Sequence, residues 1–244
     1  MNKYNIATTA VKAFTLSVLA FSAQAANLVT NGDFSLTTNG PGEFNTTYTQ
    51  VTGWASSGYN FIFAPGTADT TGSYTPQFNG NLQLWGPGNG SANGMPATSP
   101  VGGNYVGADG AYEVGAITQT INGLTVGGQY TVGFWWAAAQ QYNFNGATTE
   151  QWKVSLGNDT LATAIYDNAN HGFSGWMYQT FTYTASNTSE VLSFLAVGTP
   201  AGEPPFSLLA GVTMTPTPIP AAAFFVAPAL LGVFGLSRRK QKKC

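Results

Sequence analysis

The chain has 244 residues, with 8 Lys or Arg, 10 Asp or Glu, 43% hydrophobic and 14% aromatic residues, and 30 Gly. So apolar and sparsely charged a composition excludes a disordered tail, and it leaves ample chain for a sizeable core. Charge placement excludes more. Five basic residues, Arg238, Arg239, Lys240, Lys242 and Lys243, occupy the last seven positions, and Lys3 and Lys12 lie near the start. Between them Lys153 is the only basic residue, against all ten acidic ones from Asp33 to Glu203, so the middle carries −9 and no Arg. A body of that field repels polyanions and lacks the guanidinium fork that holds phosphate, so nucleic acid is no partner; neutral or cationic ligands remain.

In chain order the first expectation is a signal helix over residues 1–25. Lys3 and Lys12 precede an apolar stretch over 13–21, followed by Ala23-Gln24-Ala25, small residues where a signal peptidase inspects the chain. Cleavage after Ala25 sends the rest out of the cytoplasm. The single Cys is Cys244, so the exported body contains no disulfide.

Residues 26–214 read as one β-sandwich domain. No long 3.6-residue period appears, whereas short β-rich runs recur between Gly, Asn and Pro clusters. The part from 39 to 103, rich in Gly, Asn, Pro, Ser and Thr, is expected to be mostly long loops. Strands are predicted over 116–121, 129–137, 151–156, 160–166, 176–184, 190–196 and 206–214. Gly127-Gly128 and Gly157-Asn158-Asp159 are read as tight turns between neighbouring strands, which implies meandering antiparallel pairs. Phe134, Trp135 and Trp152, on predicted strands, are expected in the core.

Residues 215–220 form a Pro-rich linker, stiff because each Pro fixes its own φ and restricts its predecessor. An uncharged apolar run over 219–236 follows, about 27 Å long if helical, enough to span a bilayer core. The transmembrane helix is placed at 221–236 and the basic tail at 237–244, and that tail stays cytoplasmic while the acidic body is translocated.

A Pro-containing signature, an apolar span and an Arg-rich end resemble the PEP-CTERM sorting signal. Here the signature is Pro218-Ile219-Pro220-Ala221, a variant of the usual Pro-Glu-Pro, and the tail residues are Arg238, Arg239 and Lys240. The resemblance implies processing by an exosortase-type membrane peptidase, passage through the inner membrane, and delivery to the cell surface or extracellular matrix of a Gram-negative, exopolysaccharide-producing bacterium. A plain anchor that is never cleaved is the other reading.

The segment Asn27-Leu28-Val29-Thr30-Asn31-Gly32-Asp33-Phe34, then Gly53-Trp54, resembles the opening of galactose-binding-like jelly rolls and related carbohydrate-binding modules. Ile117-Thr118-Gln119-Thr120-Ile121, Gly123-Leu124-Thr125-Val126-Gly127 and Tyr130-Thr131-Val132-Gly133-Phe134 are similar to their strand, loop and strand, and 204–214 to their closing strand. The resemblance implies an all-β, two-sheet jelly-roll sandwich, flanked here by the signal helix and the transmembrane helix.

Catalytic chemistry finds few candidates. The body has one His, His171, in a turn-like Asn-His-Gly context, and no Cys, so a nucleophile and base pair or a zinc set is poorly supplied. Glu43, Glu113, Glu150 and Asp167 show no spacing that pairs two carboxylates across a glycosidic bond, which leaves a glycoside hydrolase as a minor alternative. No cofactor is required. A structural calcium is the one ion the sequence suggests, on Asp33 with Asp109 and backbone carbonyls, since similar jelly rolls often hold one there. Ala210 stands where those proteins usually carry Asp, and Asp33 otherwise ends an Asn-Gly-Asp turn.

Aromatic residues carry the functional expectation, because sugars stack their C–H faces on rings while amides and carboxylates bond the hydroxyls. Trp54, Tyr59, Phe61, Tyr74 and Trp85, with Gln141 and Tyr142 from the loop beyond Trp135-Trp136, are the expected carbohydrate-binding residues. The chain is therefore read as an exported, non-catalytic protein binding a neutral extracellular polysaccharide, with a structural or adhesive matrix protein that contacts other proteins as the rival.

Overall fold

The computed structural model describes residues 26–217. The expected signal helix, the sorting signature from Pro218 onward, the apolar span and the basic tail lie outside the described residues. Among the described residues no helix is long and apolar enough to cross a membrane.

The described chain is all-β. Its strands are β1 (Ala55–Ser56), β2 (Asn60–Phe63), β3 (Ser73–Thr75), β4 (Gly80–Leu82), β5 (Tyr105–Asp109), β6 (Ile117–Asn122) and β7 (Gln129–Gln140). Then come β8 (Thr148–Leu156), β9 (Asp159–Ala162), β10 (Tyr166–Asn168), β11 (Met177–Thr184), β12 (Ser189–Thr199) and β13 (Pro205–Pro216). One large sheet has the order β1-β6-β12-β8-β10, with β9 also on β8; the other has the order β11-β7-β13-β5-β2, and β3 pairs with β4 in a small two-stranded sheet. From β5 onward the long strands alternate between sheets, and the interleaved orders β5-β13-β7-β11 and β6-β12-β8-β10 make a jelly roll.

That alternation corrects the expected meander. Gly127-Gly128 does not close a hairpin: Gly127 N–H donates to Ala185 O at 2.8 Å, and the turn carries the chain from β6 in one sheet to β7 in the other. Gly157-Asn158 does join paired neighbours, β8 and β9. The predicted strand over 160–166 is split, with β9 ending at Ala162 and β10 beginning at Tyr166. The closing strand runs further than expected. Pro216 pairs with Tyr130, and Thr217 N–H donates to Gln129 O at 2.9 Å, so the start of the expected linker belongs to the sheet.

The period of two decides which side chains face inward. Along β8, Thr148, Glu150, Trp152, Val154 and Leu156 are buried while the residues between them are not. Opposite them β7 contributes Val132, Phe134 and Trp136, and Phe194 and Leu209 complete the core between the sheets. Each such fully buried apolar side chain contributes about 1.5–3 kcal/mol.

The five-stranded sheet is buried on its outer face as well, which explains why β7 reads as a nearly continuous apolar run. Phe61, Phe63, Tyr105, Ala137, Ala139, Phe206 and Leu208 form a second core with Ala68, Leu82, Leu84 and Met95. Those last four come from the part expected to be loops. It contains β1 to β4 and serves as a cover: residues 64–104 leave the end of β2, fold across the sheet and return at β5.

Candidate functional site: an aromatic cleft at one end of the sandwich

At one end of the five-stranded sheet four chain segments converge: the start of β2, the ends of β5 and β7, and the start of β13. Between them opens a cleft of about 450 Å³, the size of a small-molecule site. Tyr59, Phe78, Tyr112 and Phe144 supply rings; Asp109 and Gln141 supply polar groups; Ala201, Gly202 and Pro204 form the remaining wall.

Local chemistry places each of these. Tyr59 precedes β2, and its N–H donates to Glu113 O at 2.9 Å, which joins it to the loop that follows β5. Gly58 and Gly115 allow that join, because a Cβ on Gly58 would lie 2.3 Å from Gly115 N. The Tyr59 ring is buried and meets Phe78 and Tyr112 edge-on at 5.9 and 5.3 Å between centroids. Burial pushes the Tyr59 hydroxyl upward, with Glu43, Asp109 and Tyr112 adding to the shift against a hydrogen bond with Thr75. Phe78 ends the one-turn helix Pro76–Phe78 that links β3 to β4, and it is 55% exposed. Tyr112 is 42% exposed.

Asp109 ends β5 and is 2% exposed. Its Oδ1 accepts from Ala111 N–H at 2.8 Å and Tyr112 N–H at 3.0 Å, the turn that sets Tyr112 at the rim. Its Oδ2 is buried with no partner among the described residues. Burial pushes the carboxyl up to about 6, against those two backbone bonds.

Beside the cleft stands a second aromatic group. Trp85 N–H donates to Gln140 O and Tyr142 N–H to Gln83 O, both at 2.9 Å, so the two segments run paired off the end of β7. The Trp85 ring meets Tyr142 edge-on at 4.6 Å, and its Nε1–H donates to Phe144 O at 2.8 Å. Phe144 lines the cleft, so this bond couples the two groups. Gln140, fully buried, holds the loops together: its Nε2 donates to Gly146 O at 3.1 Å, and its Oε1 accepts from His171 N–H at 2.8 Å.

The seven expected carbohydrate-binding residues therefore separate. Tyr59 and Gln141 line the cleft, and Trp85 and Tyr142 flank it. Trp54 and Phe61 are corrected to core residues. Phe61 has no exposed surface, and Trp54 is 7% exposed, packs on Phe34 at 5.2 Å and donates Nε1–H to Thr30 O and Asn31 O. Trp54 also contributes to a separate hollow with Phe44 and Gln50. Tyr74 is 37% exposed and packs on Tyr48 at 4.8 Å, away from the residues that line the cleft.

Sequence reasoning missed Phe78 and Tyr112, whereas Phe144 belongs to the same loop as the expected Gln141 and Tyr142. A signal was present, since each is an aromatic residue in a turn-forming context, where packing gives it no reason to be. The residues suggested for calcium are also separated. The Asp33 side chain lies against Gly103, just before β5, whereas Asp109 is the last residue of that strand; Tyr105 to Asp109 alone spans roughly 13 Å. Asp33 Oδ1 accepts from Ser35 N–H at 3.4 Å. Among the described residues no group of three His, Cys, Asp or Glu is placed to hold a metal ion.

No family model matches the chain. Halomucin of Haloquadratum walsbyi (strain DSM 16790 / HBSQ001) is 27% identical over 187 residues, which cover 74% of this chain and 2% of that protein. Among solved structures, TmCBM61 in complex with β-1,4-galactotriose matches 79% of this chain and all of its own at 15% identity, with a TM-score of 0.43. The CBM22-1 xylan-binding domain from Paenibacillus barcinonensis Xyn10C covers 80% of this chain and 97% of its own at 10% identity, with a TM-score of 0.39. A CBM4 structure covers 77% and 99% at 19% identity, with a TM-score of 0.32. These values are too low to place the chain in any of those families.

Proposed function

We propose that this chain is an exported, non-catalytic protein that holds an extracellular polysaccharide in the cleft between Tyr59, Phe78, Tyr112 and Phe144. The single observation that carries this reading is the pairing of exposed rings with polar groups in one cleft. Phe78 and Tyr112 offer apolar faces to the C–H surface of a sugar, while Asp109 and Gln141 offer polar atoms to its hydroxyls. Such a mixture suits a ligand that is polar at its edges and apolar on its faces. Trp85 and Tyr142 extend the aromatic surface beside the cleft, as a chain of sugars requires.

Binding without turnover is favoured because, among the described residues, Asp109 is the only carboxylate that lines the cleft. Glycoside hydrolysis ordinarily needs a second carboxyl facing the first across the bond. Glu43 is taken up by Asn45 and Thr75, and Glu150 is buried in the core. Export, sorting by an exosortase-type peptidase and delivery to the cell surface belong to the same proposal. They rest on the two sequence ends, and the intact mass of the protein recovered from cells tests them: a C-terminus near Pro220 supports sorting and release, whereas a retained Cys244 supports a permanent anchor.

The binding test is retention of the purified full chain on immobilised polysaccharides, with Phe78→Ala and Tyr112→Ala as the informative variants. Both side chains are exposed, so the variants keep the fold and weaken retention. No retention on any polysaccharide, or retention indifferent to both variants, removes the cleft from the proposal.

A further inference from the structure

The cleft has a sign as well as a shape. Its one charged lining residue is Asp109, and the other ionisable groups that bear on its rings are also acidic: Glu43 acts on Tyr59, and Glu113 on Tyr112. The only cation among the described residues is Lys153, on β8 of the other sheet. Aromatic faces carry partial negative charge and attract cations, most strongly where water is excluded. Asp109 Oδ2, buried and without a donor, is an acceptor the fold leaves unsatisfied. Such a group costs free energy until a donor reaches it, and a charged donor offsets that cost best.

We propose that the cleft selects a saccharide bearing a free, protonated amine, such as the glucosamine units of a deacetylated aminopolysaccharide, with the ammonium directed to Asp109 and the sugar faces on Phe78 and Tyr112. This rests on the saccharide-binding reading above and narrows it to a ligand class. An N-acetylated unit presents a neutral amide there, and an acidic sugar brings a like charge; both lose the attraction. Because the Asp109 carboxyl stands at about 6, it is ionised at neutral pH, and the selectivity fades as the pH falls through that value. Tyr59, Tyr112, Glu43 and Glu113 are titratable neighbours, Glu203 stands between the lining residues Gly202 and Pro204, and His171 lies beside the cleft on Trp85.

Calorimetric titration of the purified full chain at near-neutral pH, with a glucosamine oligomer, its fully N-acetylated counterpart and a neutral β-1,4-galactan oligomer, separates the two levels. The expected result is tighter binding of the glucosamine oligomer by about tenfold, a preference that added salt erodes. Asp109→Asn keeps the Oδ1 acceptor for Ala111 and Tyr112, and it should bring all three oligomers to the neutral level. The salt response of the wild-type chain decides the matter if that variant does not fold. Equal or tighter binding of the uncharged oligomers overturns the amine assignment and leaves saccharide binding standing. Binding of none of the three, or binding unaffected by Phe78→Ala, overturns the reading beneath it.

Discussion

Trp85 lies face to face with His171, their ring centroids 3.8 Å apart and their planes inclined by 27°. The stack is fixed from both sides. His171 has a φ of +57°, and its carbonyl accepts from Ser91 Oγ and Asn93 Nδ2, both at 2.9 Å; Asn93 Nδ2 also donates to Trp85 O. The only His in the body is therefore a support for the aromatic surface beside the cleft. His171→Ala removes the stack and leaves a Cβ-bearing residue at positive φ without compensation, an expected loss of about 1–2 kcal/mol in denaturant unfolding. His171→Asn tolerates the backbone better and should lose less. An equal loss in both variants would assign the effect to the stack and not the backbone.

Gln140 makes a second test, because its side chain bonds both loops beside the cleft and the residue is not itself part of the lining. Gln140→Leu leaves the Gly146 carbonyl and the His171 N–H without their partner. The expected cost is about 2–3 kcal/mol by thermal or denaturant unfolding, with weakened polysaccharide retention. Retention at the wild-type level in a destabilised variant would separate loop order from binding.

The correction of Trp54 and Phe61 to the core is directly measurable. Trp54→Ala and Phe61→Ala are expected to destabilise by about 3–5 kcal/mol each, the range for truncating a large buried ring. Phe78→Ala and Tyr112→Ala, exposed at the rim, should stay within about 0.5 kcal/mol of the parent chain. Stability and retention thus respond to different aromatic residues, and overlapping effects would contradict the placement.

Glu150 sets a pH dependence opposite to that of a surface carboxylate. It is fully buried, its Oε1 accepts from Thr148 Oγ1 at 2.5 Å, and its Oε2 has no partner. Burial pushes its carboxyl from 4.5 up to about 8, opposed by Thr148 and Asn168 and assisted by Asp167. The folded state therefore holds a proton that the unfolded chain releases. This contribution is present in full below 4.5 and is lost as the pH rises to about 8, at a slope of about 1.4 kcal/mol per pH unit. Asp109 acts in the same direction between 3.8 and about 6. Unfolding free energy should fall from mildly acidic to mildly alkaline pH, and Glu150→Gln should flatten the upper part of that fall. Stability that rises over this range would show Glu150 to be ionised in the fold.

Much of the architecture was legible in the chain itself. Alternation in residues 117–122 and 148–156, β-branched and aromatic content, and Gly-rich breaks identify the long strands, because a strand exposed on one face must repeat every second residue. The uneven charge is equally local, and it already excludes polyanions. Residues 39–103 were not legible, because β1 to β4 are short and Ala68, Leu82, Leu84 and Met95 follow the outer face of a sheet built mostly from later residues. Nor could periodicity separate Trp54 and Phe61, which are buried, from Phe78 and Tyr112, which are exposed. All four are aromatic, and burial depends on which segment lies across each. The cleft itself is a product of long-range pairing: Tyr59, Asp109, Gln141 and Pro204 meet only because β2, β5, β7 and β13 end together at one edge of the sandwich.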